Sequence, residues 1–308
     1  MTNLSDDAVV VENLHKRYGA TVAVEDVTFT VRRGELFGVL GPNGAGKTTT
    51  LECLEGLRTP DDGRLTVLGT DVAAHPTAAR RLLGVQLQVA GLPGTMRVRE
   101  AMGLFCAYRG VPTRDDLLER FGLTDKRAAA YGTLSGGQQR RLALALALAH
   151  DPPVLMLDEP TSGLDVPARA ELHGVLRELR SAGTTILLAT HDMAEAETLC
   201  DRVAIMLGGR TVAVASPEEL TASGSGLVTI SVRTTQGTLA DPARNLPGVH
   251  QTYTDGPYVR WLSDRPAATV AALLAALEGT TDDLVDLRVQ PPSLEERFLE
   301  LTRSEADA

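Results

Sequence analysis

The stretch that most constrains the fold of this chain is "LFGVLGPNGAGKTT", which occupies residues 36–49. It opens with an apolar run of the kind found in strands that are buried on both faces of a parallel sheet. The run ends directly in the pattern G-x-x-x-x-G-K-[ST], and residues 47–57 then have the composition of a helix. Strand, glycine loop and helix in this order predict an α/β fold that binds phosphate at the end of a strand.

The glycine loop, residues 41–48, carries the groups that hold a nucleoside triphosphate. Its glycines let backbone N–H groups face phosphate oxygens, and the start of the helix adds partial positive charge. We expect Lys47 to reach the β- and γ-phosphates, Thr48 to ligate Mg²⁺ and Thr49 to contact the α-phosphate. The predicted nucleotide-binding residues here are Gly41, Pro42, Asn43, Gly44, Ala45, Gly46, Lys47, Thr48 and Thr49. A glycine-rich turn without a ligand is the alternative, and the flanking strand and helix disfavour it.

A second apolar run, "VLMLDEP", ends in two acidic residues. We expect Asp158, at the end of the predicted strand, to hold Mg²⁺ through water. Glu159 is then the candidate general base that polarises the attacking water. The alternative is a solvated pair of carboxylates without a ligand, and the glycine loop favours the catalytic interpretation.

The stretch "LSGGQQRRLALALALAH" contains a helix-start signal. Ser135 stands in a capping position, two glycines follow, and apolar residues then recur at helical spacing. The hydroxyl and the N–H groups of this helix start predict a second anion-binding site. A well-capped helix with no ligand is the alternative interpretation.

Together, these motifs resemble those of the ATP-binding cassette (ABC) family, over residues 9 to about 219. The resemblance implies a P-loop fold with a RecA-like lobe, a β-strand subdomain and a helical lobe. It also implies ATP and Mg²⁺ as cofactors. In this family two cassettes pair head to tail, and the signature sequence of one closes over ATP held by the other. The chain has one phosphate loop and one signature, so the resemblance implies a homodimer with two equivalent sites.

Residue by residue, the resemblance adds further functional positions. Tyr18 stands where the family stacks an aromatic ring on adenine, and Gln88 in "GVQLQ" is similar to the glutamine that contacts Mg²⁺ and the reaction centre. Asp165 in "SGLD" matches the segment that crosses the dimer, and His191 matches the switch histidine that contacts the γ-phosphate. The implied catalytic set is Lys47, Gln88, Glu159 and His191. The implied signature contacts are Ser135, Gly136, Gly137 and Gln138.

Several of these residues have simpler interpretations. Tyr18 is also compatible with an ordinary aromatic at a strand edge, and His191 with a hydrogen-bonded histidine at a strand end. Asp165 is also a candidate cap for the helix that follows it. Gln86 is an alternative to Gln88, although the spacing favours Gln88.

The chain length of 308 residues predicts one large domain and one smaller domain. Residues 1–222 form the predicted ATP-binding domain, with its helical lobe at about 90–150, and residues 223–226 form a linker. Residues 227–308 have the order β-α-β-β-α-β of a small ferredoxin-like α+β domain, with a closing helix. Its first helix is predicted over 239–245, and its middle strands are predicted to form a hairpin around the "DG" of Asp255 and Gly256.

Composition limits the possible partners of the chain. The net charge of −10 disfavours nucleic acid, and the three cysteines fit no metal-ligand spacing. The longest apolar runs are too short to span a bilayer. We therefore expect a cytoplasmic protein that reaches the inner face of the membrane through a partner.

The tail sequence "PPSLEERFLELT" looks like that of the drug-resistance exporter branch, whose ABC-2 permease subunits are separate chains. The resemblance thus implies an ATPase that powers export of a drug-like or antibiotic-like small molecule. The alternative is a non-transport ABC ATPase of the DNA-repair or translation type. That class uses long coiled coils, zinc cysteines or tandem cassettes, which this sequence lacks. A kinase or GTPase is disfavoured by "LSGGQ" and by the lack of an N-K-x-D motif.

Overall fold

The computed structural model describes residues 6–86, 91–224, 226–237, 246–278 and 280–306. It divides into two compact units, Met1–Pro217 and Glu218–Ala308. Two predictions lie outside the described residues: the position of Gln88, and the first helix of the small domain, over 239–245.

The first unit contains a ten-stranded sheet of order β5-β4-β1-β2-β10-β9-β3-β8-β7-β6. Its strands are β1 Asp7–Tyr18, β2 Thr21–Arg32, β3 Leu36–Leu40, β4 Asp62–Val67, β5 Thr70–Asp71, β6 Leu83–Gln86, β7 Val154–Asp158, β8 Thr185–Thr190, β9 Arg202–Leu207 and β10 Arg210–Ala215. The run β9-β3-β8-β7-β6 is parallel throughout, whereas β1, β2, β4 and β5 pair antiparallel. The predicted RecA-like lobe and β-strand subdomain are therefore parts of one continuous sheet.

Helices pack around this sheet and build the helical lobe. They are α1 Lys47–Leu54, α2 Pro76–Arg81, α3 Val98–Arg109, α4 Asp115–Arg120, α5 Gly136–Ala147, α6 Val166–Ser181 and α7 Met193–Leu199, with α8 Pro217–Ala222 at the boundary between the units. Helices α3 and α4 both pack against α5, so these three form the predicted helical lobe. Helix α1 ends three residues before the predicted end at residue 57, in a turn that contains Gly56 with a φ of 66°.

The strands that carry the site are buried along their whole length. Every residue of β3, β7 and β8 is inaccessible or nearly so. Burial of each large apolar side chain stabilises the fold by about 1.5–3 kcal/mol, so this sheet is a rigid support. Strand β8 lies between β3 and β7, and the carboxyl ends of all three strands therefore meet at one edge.

The second unit is a four-stranded antiparallel sheet of order β12-β13-β11-β14. Its elements are β11 Val228–Thr234, β12 Val249–Asp255, β13 Tyr258–Ser263, α9 Pro266–Leu277, β14 Leu284–Gln290 and α10 Leu294–Ala306. Numbered within the unit, this strand order is 2-3-1-4, the arrangement expected of a ferredoxin-like split pattern. Its core centres on Trp261, which is 1% exposed.

Over the described part of the chain, no helix combines the length and the hydropathy that crossing a membrane requires.

Candidate nucleotide-binding site

The phosphate loop connects β3 to α1 in the conformation that its glycines permit. Gly44 and Gly46 have φ angles of 84° and 97°, which other residues adopt with strain. A Cβ atom on Gly46 would lie 2.7 Å from the backbone oxygen of Ala23. Gly46 is therefore required both for the turn and for the close approach of β2.

The side chain of Lys47 folds back into the phosphate loop. Its Nζ donates hydrogen bonds to the carbonyl oxygens of Gly41, at 2.6 Å, and Pro42, at 3.1 Å. Burial lowers the pKa of the Lys47 ammonium, while the carboxylates of Glu159 and Asp158 act in the opposite direction. Two nearby carboxylates thus favour the charged form of this lysine at the place where phosphate would bind.

Thr48 and Asp158 form the pair that fits a magnesium ion. The Thr48 hydroxyl donates to Asp158 Oδ2 at 3.0 Å, and Asp158 is 4% exposed. Burial raises the pKa of the Asp158 carboxyl, which the hydrogen bond from Thr48 partly offsets. Among the described residues, nothing donates a hydrogen bond to the buried Oδ1 of Asp158. A hydroxyl and an underused carboxylate are hard oxygen donors, and Mg²⁺ needs only one or two of these beside phosphate.

Glu159 leaves β7 in a left-handed backbone conformation, with a φ of 48°. Its N–H donates to the carbonyl of Ala189 on β8 at 2.9 Å, which fixes the turn. Its Oε1 lies 2.7 Å from His191 Nδ1. Non-glycine residues in this conformation cluster at functional sites, and here the turn joins the candidate base to the candidate switch histidine.

The phosphate loop and Glu159 border a cavity of about 370 Å³. Residues 43–49 of the phosphate loop and Glu159 form one side, and Tyr18 with residues 21–23 of the β1–β2 hairpin form the other. Tyr18 is 41% exposed, and its ring lies 5.6 Å from Lys16 Nζ. A half-exposed aromatic ring beside a phosphate loop has the arrangement that an adenine nucleotide needs.

The signature residues lie at the start of α5. The Ser135 hydroxyl accepts a hydrogen bond from the backbone N–H of Gln138, and the Gln138 side chain accepts one from the N–H of Ser135. This reciprocal capping box explains why the helix begins there, as the sequence predicts. Asp165 caps α6 in a similar way, since it accepts from Ala168 N at 3.0 Å.

The signature borders a second cavity, of about 770 Å³. Its walls are Ser135, Gly136, Gly137, Arg141, Gly163, Leu164, Asp165, Pro167, Ala168 and Glu171. Neither the phosphate loop nor Glu159 is among the residues that line it. Within one chain, the site residues that the structure describes therefore fall into two separate groups, one around Lys47 and one around Ser135.

Sequence reasoning did not single out three contributors to these cavities. Residues 21–23 form a wall of the first cavity, and Arg141 with Glu171 form part of the second. The signal that could have found residues 21–23 is Gly19, because a glycine directly after Tyr18 favours a turn that brings the next strand back beside the aromatic ring. Arg141 and Glu171 approach to 3.4 Å from different helices, a long-range pairing with no local sequence signal.

Comparisons with known proteins agree with this geometry. A family model described as ABC transporter matches residues 24–162. Nod factor export ATP-binding protein I of Ralstonia nicotianae is 40% identical over 96% of this chain and 94% of its own length. Daunorubicin resistance ATP-binding protein DrrA3 of Streptomyces coeruleorubidus is 38% identical over 97% of both chains.

Solved structures give the same result. The ATP-binding subunit of an ABC transporter superposes with a TM-score of 0.64 at 30% identity, over 69% of this chain and 91% of its own. A bacterial ABC transporter cassette solved as a dimer gives 0.62 at 25% identity, over 68% and 98%. The chain belongs to the ABC transporter family. It is a P-loop ATPase that binds and hydrolyses ATP, as the sequence predicted.

Gly46→Ala should weaken ATP binding at least about tenfold, because the new methyl group forces the loop away from β2 and strains the backbone. Titration with a fluorescent ATP analogue measures the affinity, and thermal unfolding checks the fold. Gly44→Ala is the matched control: its φ is 84°, but a Cβ there would have nothing within 4 Å. It should lose less affinity. Equal affinities for Gly46→Ala and the unmodified chain would contradict this account of the loop.

Proposed function

We propose that this chain powers export of a small molecule through a separate ABC-2 type permease, working as a head-to-tail homodimer with ATP and Mg²⁺. The observation that supports the dimer is the separation of the two cavities. The phosphate loop and Glu159 border one, and the signature with Asp165 borders the other. The signature can act on a nucleotide only if a second copy brings its own phosphate loop to it. A solved bacterial ABC transporter cassette that is similar in fold to this chain is a dimer.

In the proposed reaction, water attacks the γ-phosphorus of ATP, the bond to the β-phosphate oxygen breaks, and ADP and inorganic phosphate form. Glu159 orients the water and accepts its proton. His191, held 2.7 Å from Glu159, contacts the γ-phosphate, and Lys47 neutralises the charge between the β- and γ-phosphates. Gln88 is proposed to complete this set.

Thr48 is the proposed protein ligand of Mg²⁺, Asp158 would hold the ion through water, and Gln88 is the third residue proposed to hold it. When bound, the ion supplies positive charge that offsets the charge of the phosphate oxygens. The Thr48–Asp158 hydrogen bond of 3.0 Å holds both oxygen donors at the start of α1, where the phosphate groups would lie.

Closure of the dimer depends on contacts that exist only with the γ-phosphate in place. ATP therefore favours the closed pair, and hydrolysis removes that preference. The helical lobes would carry this movement to the permease. In this proposal the chain lies on the inner face of the cell membrane, held there by its partner, and the second unit supports assembly or regulation.

Two relatives support export as the direction of transport. One is named for export of Nod factor and the other for daunorubicin resistance, and both align over nearly the whole chain, including the second unit. A small molecule of the drug or antibiotic kind is therefore the proposed cargo.

Glu159→Gln should trap the ATP-bound dimer, because it retains nucleotide binding but removes the base. Size-exclusion chromatography with light scattering should give twice the chain mass with ATP and the chain mass without it. The control variant carries Lys47→Ala as well and should stay monomeric. A Glu159→Gln chain that remains monomeric at saturating ATP would overturn the homodimer.

Mixing Lys47→Ala chains with Ser135→Ala chains should restore ATPase activity, because each mixed dimer contains one intact composite site. At equal amounts, about one quarter of the unmodified activity is expected, since half of the dimers are mixed and each has one working site. Mixing Lys47→Ala with Glu159→Gln is the control. Both residues border the same cavity, so no intact site can form. Equal activity in the two mixtures would contradict sharing across the dimer.

The permease can be tested by capturing the tagged full-length chain from membranes of its own host. The expected companion is a polytopic membrane protein that stimulates ATP hydrolysis when both are reconstituted in liposomes. Glu159→Gln should be captured equally well but should not hydrolyse ATP. If only nucleic-acid or ribosomal proteins are captured, and no membrane protein stimulates hydrolysis, the export proposal fails.

A further inference from the structure

Two contacts join helix α6 to the start of helix α7, one an arginine–aspartate ion pair and the other a histidine–glutamate contact, beside the site but outside both cavities described above. Arg169 Nη1 lies 3.0 Å from Asp192 Oδ2, and His173 Nε2 lies 3.1 Å from Glu195 Oε1. Arg169 and His173 are four residues apart on α6, so they lie on one face of that helix. Asp192 and Glu195 are three apart at the start of α7, so the pairs form successive rungs between two helices. We call these four residues the α6–α7 ladder.

Each helix of the ladder begins at a functional segment. Helix α6 starts directly after Asp165, which borders the cavity of the signature. Helix α7 begins at Met193 and is capped by Asp192, which directly follows His191 and whose Oδ1 accepts a hydrogen bond from Glu195 N at 3.0 Å. Asp192 therefore uses one oxygen to fix the start of α7 and the other to bind Arg169 on α6.

The buried pair of the ladder, His173 with Glu195, is called the inner rung. Its presence is poorly explained by stability alone. The side chain of Glu195 is 0% exposed, and among the described residues its Oε2 has no hydrogen-bond partner. Burying a carboxylate with one unpaired oxygen is costly, and well-packed apolar residues at such positions are often as stabilising or more so. What the pair does provide is a defined register between the two helices.

From this geometry we infer that the α6–α7 ladder positions His191 relative to Asp165. It thereby couples the segment that faces the partner cassette to the histidine beside the candidate base. Arg169, His173 and Glu195 touch no reacting atom, so they are positioning residues that act through His191. The inference rests on the role proposed above for His191, whose Nδ1 contacts Glu159 at 2.7 Å.

The test compares Arg169→Ala with Arg180→Ala in the full-length chain. Both arginines lie on α6, both pair with an aspartate, and their side chains are 42% and 44% exposed. Arg180 pairs with Asp201, at the other end of the helix. Arg169→Ala should lower kcat for ATP hydrolysis about tenfold, because a small displacement of a catalytic group has a large effect on rate. Its KM for ATP and its thermal unfolding should match those of Arg180→Ala.

The inner rung gives a second measurement. Glu195→Ala should lower kcat, and Glu195→Gln should recover most of it because its amide oxygen still accepts a hydrogen bond from His173. Combining Arg169→Ala with His173→Ala should reduce kcat by less than the product of the single effects, because both act through one helix. If Glu195→Ala does not fold, the Arg169 comparison decides alone, since that side chain is largely at the surface.

Several results would overturn the inference. These are equal kcat values for Arg169→Ala and Arg180→Ala, an effect of Arg169→Ala on KM alone, or fully multiplicative effects of the two rungs. Loss of the ATP-bound dimer when Arg169→Ala is added to Glu159→Gln would also overturn it, because the ladder would then act on assembly. His191→Ala distinguishes failure of the proposed role of His191 from failure of the ladder inference. If that variant keeps full kcat, the proposed role of His191 fails; if it is inactive while Arg169→Ala is unaffected, only the ladder fails.

Discussion

The site depends on the parallel pairing of three buried strands, β3, β8 and β7. In their registers Leu40 lies opposite Thr190, and Asp158 lies opposite Ala189. The three chain segments that leave these strands therefore start at one edge of the sheet: the phosphate loop, the Asp158–Glu159 pair and the turn to His191. Segments about 30 to 150 residues apart in sequence become neighbours because of hydrogen bonds between strands, and ligands of open parallel sheets bind at this edge.

At this edge several residues have conformations or charges that are locally unfavourable, and the stability of the core compensates for them. Glu159 has a φ of 48°, and Lys47 and Asp158 are both buried. Each feature is unfavourable by itself, and the proposed binding of a charged phosphate at this edge accounts for each of them. The surrounding apolar strands provide the stability that keeps these groups in place. The loops thus carry the groups of the site, and the strands provide the structural support.

The parts of the fold with local signals were predictable from the sequence. The glycine loop, the capped start of α5 and the hairpin around Gly256 follow from short-range chemistry, and the structure places each where expected. Strands β9 and β10 were not predicted, although Gly208 and Gly209 between them are a hairpin signal. Their apolar runs are short, and helical and extended interpretations of short runs are hard to separate.

The contacts across the site were not predictable in the same way. The 2.7 Å approach of Glu159 to His191 depends on the register of β7 and β8 and on a left-handed turn, neither of which has a local pattern. The pairing of Arg141 with Glu171 and the pairs between α6 and α7 depend on how helices pack. Sequence patterns specify which residues carry the chemistry, whereas tertiary structure decides which of them act together.

The separation of the two cavities has a consequence for how ATP hydrolysis depends on the amount of protein in the cell. If each site is completed by a second copy, a solitary chain can retain nucleotide without consuming it. At low abundance the rate of consumption would then rise with the square of the amount of protein, since encounters between copies limit it. Newly made chains that have not yet dimerised would not hydrolyse ATP. Hydrolysis uncoupled from transport would thus be suppressed without any dedicated inhibitor.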